Sequence, residues 1–265
     1  MGVPWITDAF AADWALMHLS RVQTPRRVFF ALLAALMVAT SCSIETKDFE
    51  ALFGEDFNVE SLETAQSSRV FDRNGDLIVE LRGEQNRTDV SIDDMAQVMI
   101  DAVVAIEDER FWDHSGVDLK AILRAARSNV NAGGISQGGS TITQQYVGNV
   151  FLDRTDRTGS RKVEEIFMAR RFEEQYTKEF ILERYMNWVF FGRGAYGVEA
   201  AARHYFGIGP EKLTATQAAR LAAILPSPKT RSASRPSKFV QRRAARIRDG
   251  AATIAADGRA GCFEN

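Results

Sequence analysis

Residues 106–118 read "IEDERFWDHSGVD": five carboxylates, one histidine and two large aromatics placed directly after an apolar run. An unpaired charge beside buried surface is costly. The stretch is therefore a solvated helix end or a place where a carboxylate works as acid or base. Met95, Val98, Met99, Ala102, Val103 and Ile106 recur before it at helical spacing, behind a capping box of Ser91 with Asp94. Glu107 lies four residues after Val103, on the edge of that stripe. Downstream the pattern stays helical: Leu119 to Val130, Thr141 to about Phe151, Arg161 to Phe190, Gly197 to Phe206, and Thr214 to Leu225. Upstream, "SRVFDRNGDLIVEL" (68–81) alternates around Asn74-Gly75, a strong hairpin signal. The fold class is mainly α with a small β-hairpin.

Composition narrows the function classes. With 45% hydrophobic residues the 265-residue chain has ample core, and Lys+Arg 33 against Asp+Glu 35 leaves no broad basic surface for nucleic acid. Two cysteines, Cys42 and Cys262, exclude a zinc ribbon or a disulfide framework. Residues 28–44, "VFFALLAALMVATSCSI", are uncharged and follow "RVQTPRR", a membrane-targeting pattern that holds the N-terminus in the cytoplasm. An uncleaved single-pass anchor is the leading reading. Its rivals are a lipoprotein signal ending at Cys42, with Met17 as the start, and a plain cleaved signal. The expected organisation is a cytoplasmic tail (1–27), the membrane segment (28–44), a connector with the hairpin (45–90), a catalytic domain (91–250) and a C-terminal tail (251–265).

Two further stretches carry chemistry. "GGISQGGSTITQQ" (133–145) sets two glycine pairs before a Ser/Thr cap, and the free N–H groups of such a helix opening suit an anion. A flexible loop with an ordinary cap explains the pattern nearly as well. Gln144 and Gln145 add amide donors. In "SRKVEEIFMARRFEEQYTKEFILERYMN" (160–187), Val163, Ile166, Ala169, Phe172 and Tyr176 face inward, and Arg161 and Glu165 stand at i,i+4. Most such pairs are plain surface pairs. Arg161 and Lys162, however, sit at a helix N-terminus where the dipole disfavours cations, a conflict that an anionic ligand removes. Two glutamates, a cation pair and a helix opening suit glycosyl or phosphoryl transfer.

Together these blocks resemble the peptidoglycan glycosyltransferase family, the transglycosylase domain of class A penicillin-binding proteins and its monofunctional relatives. "EDERFWDHSGVD", "GGSTITQQ", "RKVEEIFMAR", "FGRGAYGVEAAARHYFG" and "LAAILPSP" occur in the family's order between about Arg69 and Arg248. The resemblance implies a lysozyme-like, two-lobed helical fold with a membrane-facing jaw. It implies polymerisation of lipid II on the outer, periplasmic side of the cytoplasmic membrane. It makes Glu107 the general base for the acceptor 4-hydroxyl, with inversion at the donor carbon, and Glu165 the glutamate that assists the departing diphosphate. Arg161 and Lys162 match the cations that hold that diphosphate. Asp108, Phe111 and His114 complete the first block, and Ser140, Thr141, Gln144, Gln145 and Asn149 belong to the donor side. The bland reading of His114 is a hydrogen bond that shapes its loop, and Phe111 and Trp112 suit the core equally well. Gly192, Gly194 and Gly197 shape a turn at the cleft floor.

The partners implied are lipid II, the nascent glycan strand, the membrane and other cell-wall synthesis proteins, with no nucleic acid. No cofactor is expected to be tightly bound, and no cluster implies a permanent metal; a divalent cation, Mg or Mn, at the substrate diphosphate is the one allowed. "QQYVGN" departs from the family by placing Gly148 where a phosphate-contacting lysine is usual. Arg154 or Arg157 in "LDRTDRTG" (152–159) is the expected substitute. No Ser-x-x-Lys or Lys-Thr-Gly motif of a transpeptidase occurs, so the monofunctional form is expected. The rival readings are a non-catalytic lipid II scaffold, motivated by Gly148, and a glycan-cleaving enzyme of similar fold, disfavoured by the blocks around residues 138–145 and 161–170.

Overall fold

The structure is a computed structural model that describes residues 57, 59, 68–75, 77–81, 86–134, 138–152 and 159–256. The apolar run 28–44, Met17, Cys42, the two arginines Arg154 and Arg157, and the tail beyond 256 lie outside them. No helix among the described residues is long and apolar enough to cross a membrane.

Strands β1 (Ser68–Phe71) and β2 (Leu77–Leu81) pair antiparallel. Their turn forms at Asp72, whose side chain accepts from the Asn74 amide at 2.8 Å, and Gly75 takes the positive φ of 87° that the turn needs. After β3 (Asn86–Arg87) come helices α1 (Gln97–Glu107), α2 (Leu119–Ala132), α3 (Ile142–Val150), α4 (Gly159–Gln175) and α5 (Lys178–Trp188). Strands β4 (Phe190–Gly192) and β5 (Ala195–Tyr196) then lead into α6 (Gly197–Phe206), α7 (Ala215–Ile224) and α8 (Lys238–Ala256). β5 joins β3 in parallel and β4 antiparallel, a second small sheet that the alternation pattern does not reveal.

Two sequence expectations are corrected. Ser91 does not open a capping box: its hydroxyl accepts from Asp93 N and starts a 3-10 turn (Ile92–Asp94), after which Met95 is extended and α1 begins at Gln97. The box requires Glu or Gln at its fourth position, and Asp94 is one methylene shorter. The long helix 161–190 is two helices. Thr177 is extended and caps α5, accepting from Phe180 N at 3.3 Å, a local bond that competes with helix continuation. The stacked rings of Tyr176 and Phe180, 4.6 Å apart, carry the apolar rhythm across this break and hide it. In addition, α8 runs past the expected boundary at 250 to Ala256, with Ile254 buried.

α1 packs against α7 and α8, and α3 packs against α4 and α5. One continuous core joins these groups, with Met99, Val103, Ile142, Phe172, Leu182, Met186, Leu221 and Ile224 fully buried. Glycines allow two close approaches that bring distant blocks together. A Cβ on Gly192 would stand 2.2 Å from the Pro228 carbonyl oxygen, and one on Gly116 would stand 2.6 Å from that of Ala169 in α4. Gly116 also has a φ of 80°, in the region costly for other residues. We expect Gly116→Ala to lose at least about 2 kcal/mol, since neither backbone can yield, and to lower Tm by about 4–8 °C. An unchanged melting curve would contradict that packing.

Candidate active site

The site is organised by the N-terminus of α3. Asp108, just past the end of α1, leaves helical geometry (φ −159°, ψ 74°) and ends the helix while its N–H still bonds the Val104 carbonyl. Its buried carboxylate turns back: Oδ2 accepts from Ile142 N, the first residue of α3, at 3.0 Å. An acid is favoured there because the helix dipole and the free N–H groups both meet negative charge. His114 Nε2 holds the same carboxylate at 2.9 and 3.1 Å, and its ring is buried. Thr141 completes the anchor through a reciprocal capping box with Gln144 and a 2.7 Å bond from its hydroxyl to the Gly116 carbonyl. Asp118 likewise caps α2 through the N–H groups of Lys120 and Ala121 and pairs with Arg110.

With α3 fixed, Gln145 reaches Glu107. Its Nε2 donates to Glu107 Oε2 at 3.0 Å, while its Oε1 accepts from the Tyr185 hydroxyl at 3.1 Å. An ionised carboxylate only accepts, so Gln145 turns its amide nitrogen to Glu107 and leaves its oxygen to accept from the Tyr185 hydroxyl. Tyr185 is buried, and burial, followed by the charges of Glu107 and Asp108, pushes its pKa well up, so it stays a protonated donor. Burial also raises the Glu107 carboxyl pKa; the Gln145 bond and the charge of Arg243 on α8 pull it back, and Asp108 adds a smaller push upward. Asn149 Nδ2 bonds the Gln145 carbonyl at 2.6 Å.

A second carboxylate stands on the same face of α3. Glu165 on α4 is buried, with Oε2 3.6 Å from Arg161 Nη1 and Oε1 in contact with Lys162. Lys162 also donates to Ser140 Oγ at 2.9 Å, and Arg161 Nη1 to the Gly148 carbonyl at 3.4 Å. Gly148 lies next to Glu165, three residues after the glutamine that holds Glu107. The i,i+3 relation puts these two anchoring positions on one face, about 4.5 Å apart along the axis.

The expected residues thus fall into two clusters. Glu107, Asp108, His114, Thr141, Gln144 and Gln145 gather at the α1–α3 junction; Glu165, Arg161, Lys162 and Ser140 gather on the side of Gly148; Asn149 stands one turn beyond Gln145 along α3, bonded to its carbonyl. Phe111 is fully buried beneath the Lys178 ammonium, which sits 4.3 Å from its ring centre, so it packs the loop and has no surface to offer a ligand. Burial likewise spends Asp108, Thr141 and Gln144 on holding the backbone. Tyr185 and Arg243 were not legible as site residues. Tyr185 sits three residues after Leu182 in an apolar stripe and reads as core, and Arg243 is one of several arginines in a basic run. Among the described residues no group of three or more His, Cys, Asp or Glu side chains is arranged to hold a metal.

The Glu107 environment has a measurable consequence. Its folded pKa lies above the ordinary glutamate value of 4.5, so the folded chain holds that proton more tightly than the unfolded chain. Stability from this group is present below that unfolded value and is lost as pH rises through the folded pKa. The neutral amide of Glu107→Gln avoids the loss. We expect the variant to melt a few degrees above wild type near neutral pH, at about 2–4 °C per kcal/mol, with the gap closing toward acid. A gap that widens as pH falls would contradict the assignment.

Residues 74–251 match the transglycosylase family model. The chain is 46% identical over 176 residues to the biosynthetic peptidoglycan transglycosylase of Jannaschia sp. (strain CCS1), covering 66% of this chain and 71% of that protein. It is 46% identical over 186 residues to penicillin-binding protein 1A of Aquifex aeolicus (70% of this chain, 25% of that protein). Identity to penicillin-binding protein 1F of Bacillus subtilis is 42% over 178 residues (67% and 25%). The matched region therefore spans about a quarter of each of these two penicillin-binding proteins. With the matched span containing Glu107, Glu165 and the α3 face between them, the chain belongs to the peptidoglycan transglycosylase family, the glycosyltransferases of bacterial cell-wall synthesis.

Proposed function

We propose that this chain polymerises lipid II into β-1,4 glycan strands at the outer face of the cytoplasmic membrane. The observation that carries the reading is the pair of differently held carboxylates on one face of α3: Glu107 against the Gln145 amide in a burying pocket, and Glu165 between two cations. In the step we infer, Glu107 takes the proton of the acceptor sugar's 4-hydroxyl as that oxygen attacks the donor anomeric carbon. The bond from that carbon to the diphosphate oxygen breaks, its electron pair leaves with the undecaprenyl diphosphate, and attack from the opposite face inverts the configuration. A raised pKa suits a base, because the proton is accepted with more driving force. Arg161 and Lys162 stabilise the developing diphosphate charge, with Glu165 between them. A divalent cation, Mg or Mn, is proposed as a passenger on the substrate diphosphate. Both glutamates and both cations are assembled, which disfavours the scaffold reading.

The membrane side of the proposal rests on α2. Of its fourteen residues only Ala125 is buried, while Leu119 and Leu123 are each 70% exposed. Together with Ala126 and Val130 they form an i, i+4, i+7, i+11 stripe, and Lys120, Arg124 and Arg127 run beside it. An exposed apolar stripe flanked by cations fits a helix lying in an anionic lipid interface. In the lysozyme-like, two-lobed arrangement we infer, α2 belongs to the membrane-facing jaw.

Three outcomes test these roles. Purified protein should convert lipid II in detergent to polymer, and Glu107→Gln should lose about 10²- to 10⁴-fold in rate, the usual worth of a general base. Equal polymer from both would remove Glu107 from that role. Arg243→Ala removes a charge that lowers the Glu107 pKa, so the acid limb of its rate profile should move to higher pH; a limb that stays in place or moves down would refute the coupling. Leu119→Ser with Leu123→Ser should raise KM at least about 10²-fold for lipid II in liposomes, since each leucine buried in lipid contributes about 1.5–3 kcal/mol and two are lost, while a short-chain soluble substrate is unaffected.

A further inference from the structure

Gly148 lies inside α3, two residues before its end, with helical neighbours on both sides. A glycine inside a helix costs stability and brings no cap or turn in return. Its surroundings account for it. A Cβ at 148 would stand 2.9 Å from Glu165 Oε2 and 3.1 Å from both Cδ and Cγ of the same side chain. The Glu165 carboxylate fills the space that any other residue's side chain would enter. The Gly148 carbonyl accepts from Arg161 Nη1, and that nitrogen also faces Glu165 Oε2. Lys162 takes the other oxygen, Oε1, while bonding Ser140. The carboxylate is thereby set with one oxygen toward each cation and its back against bare helix backbone.

We propose that Gly148 is a positioning residue: the absence of a side chain there seats Glu165 across Arg161 and Lys162, and a Cβ shifts the carboxylate off that seat. The atoms in the way belong to the far end of a flexible side chain, so the helix accepts alanine and the glutamate moves. The effect on turnover rests on the polymerase reading above, whereas the seat itself rests on geometry alone. Moving Glu165 leaves both cations freer to bind a ground-state diphosphate and removes the carboxylate from its place as the diphosphate departs. KM for lipid II then stays level or falls, and kcat falls.

The test is a cycle of four full-length proteins: wild type, Gly148→Ala, Glu165→Ala and the double variant. Alanine favours the helix, but beside Glu165 part of that gain goes into displacing the side chain. The Tm increment from Gly148→Ala should therefore be at least about 2 °C larger in the Glu165→Ala background. Equal increments would overturn the seat. Should Gly148→Ala fail to fold, recovery of folding in the double variant supports the seat and failure in both backgrounds refutes it. In lipid II polymerisation, Gly148→Ala should lower kcat about tenfold, less than the ~10²-fold of a 1 Å misplacement, without raising KM. That loss should vanish where Glu165 is already alanine. An unchanged kcat, or an equal loss in both backgrounds, overturns the positioning role. A wild type that makes no polymer would sink the polymerase reading while the melting cycle still decides the seat.

Discussion

The bond from Ile142 N–H to the Asp108 carboxylate is the constraint on which the site depends. It joins the end of α1 to the start of α3, thirty-four residues apart, and places a charge where the helix presents free donors. Every later contact assumes it. Gln145 meets Glu107 only because α3 begins at that spot, and Gly148 meets Glu165 one turn further on. His114 and Thr141 reinforce the joint from either side, so that in a block rich in acids the Asp108 carboxylate is structural and Glu107 is left for the role proposed for it.

The two site glutamates differ in what surrounds them. Glu107 loses hydration on burial, so its charged form is disfavoured, with the Gln145 amide bond and the positive charge of Arg243 as partial offsets. Glu165 sits against two cations within about one helical turn of its own sequence. A group poised to accept a proton and a group that stays paired with cations are distinct chemical tools, and the division arises from environment, because the side chains are identical.

Much of this was legible in the sequence where a local rule governs. Helical periodicity located α1, α3, α6 and α7, Asn74-Gly75 located the hairpin turn, and residue spacing alone paired Arg161 with Glu165. Where tertiary context decides, periodicity misled: Tyr176 and Phe180 continue an apolar rhythm through a real break at Thr177. The β3–β5–β4 sheet has strands of two or three residues, too short for any alternation to register. Tyr185 illustrates the deeper limit. Its ring belongs to the core and its hydroxyl to the site, and only the three-dimensional meeting with Gln145 separates the two roles.

Gly148 reads differently in sequence and in space. In sequence it is a missing cation at a diphosphate site. In space the remaining cations, Arg161 and Lys162, already share one carboxylate, so the resting cluster carries a net charge of about +1 rather than +2. A diphosphate bound there, as proposed, would meet Glu165 as well as its two counter-ions, and like charges at close range repel. In that reading, binding loosens the existing ion pairs before it gains new ones. Since removing hydration from a charge is costly and close pairing offsets that cost, the geometry in which Glu165 is held controls how much of the cations' charge a substrate can use.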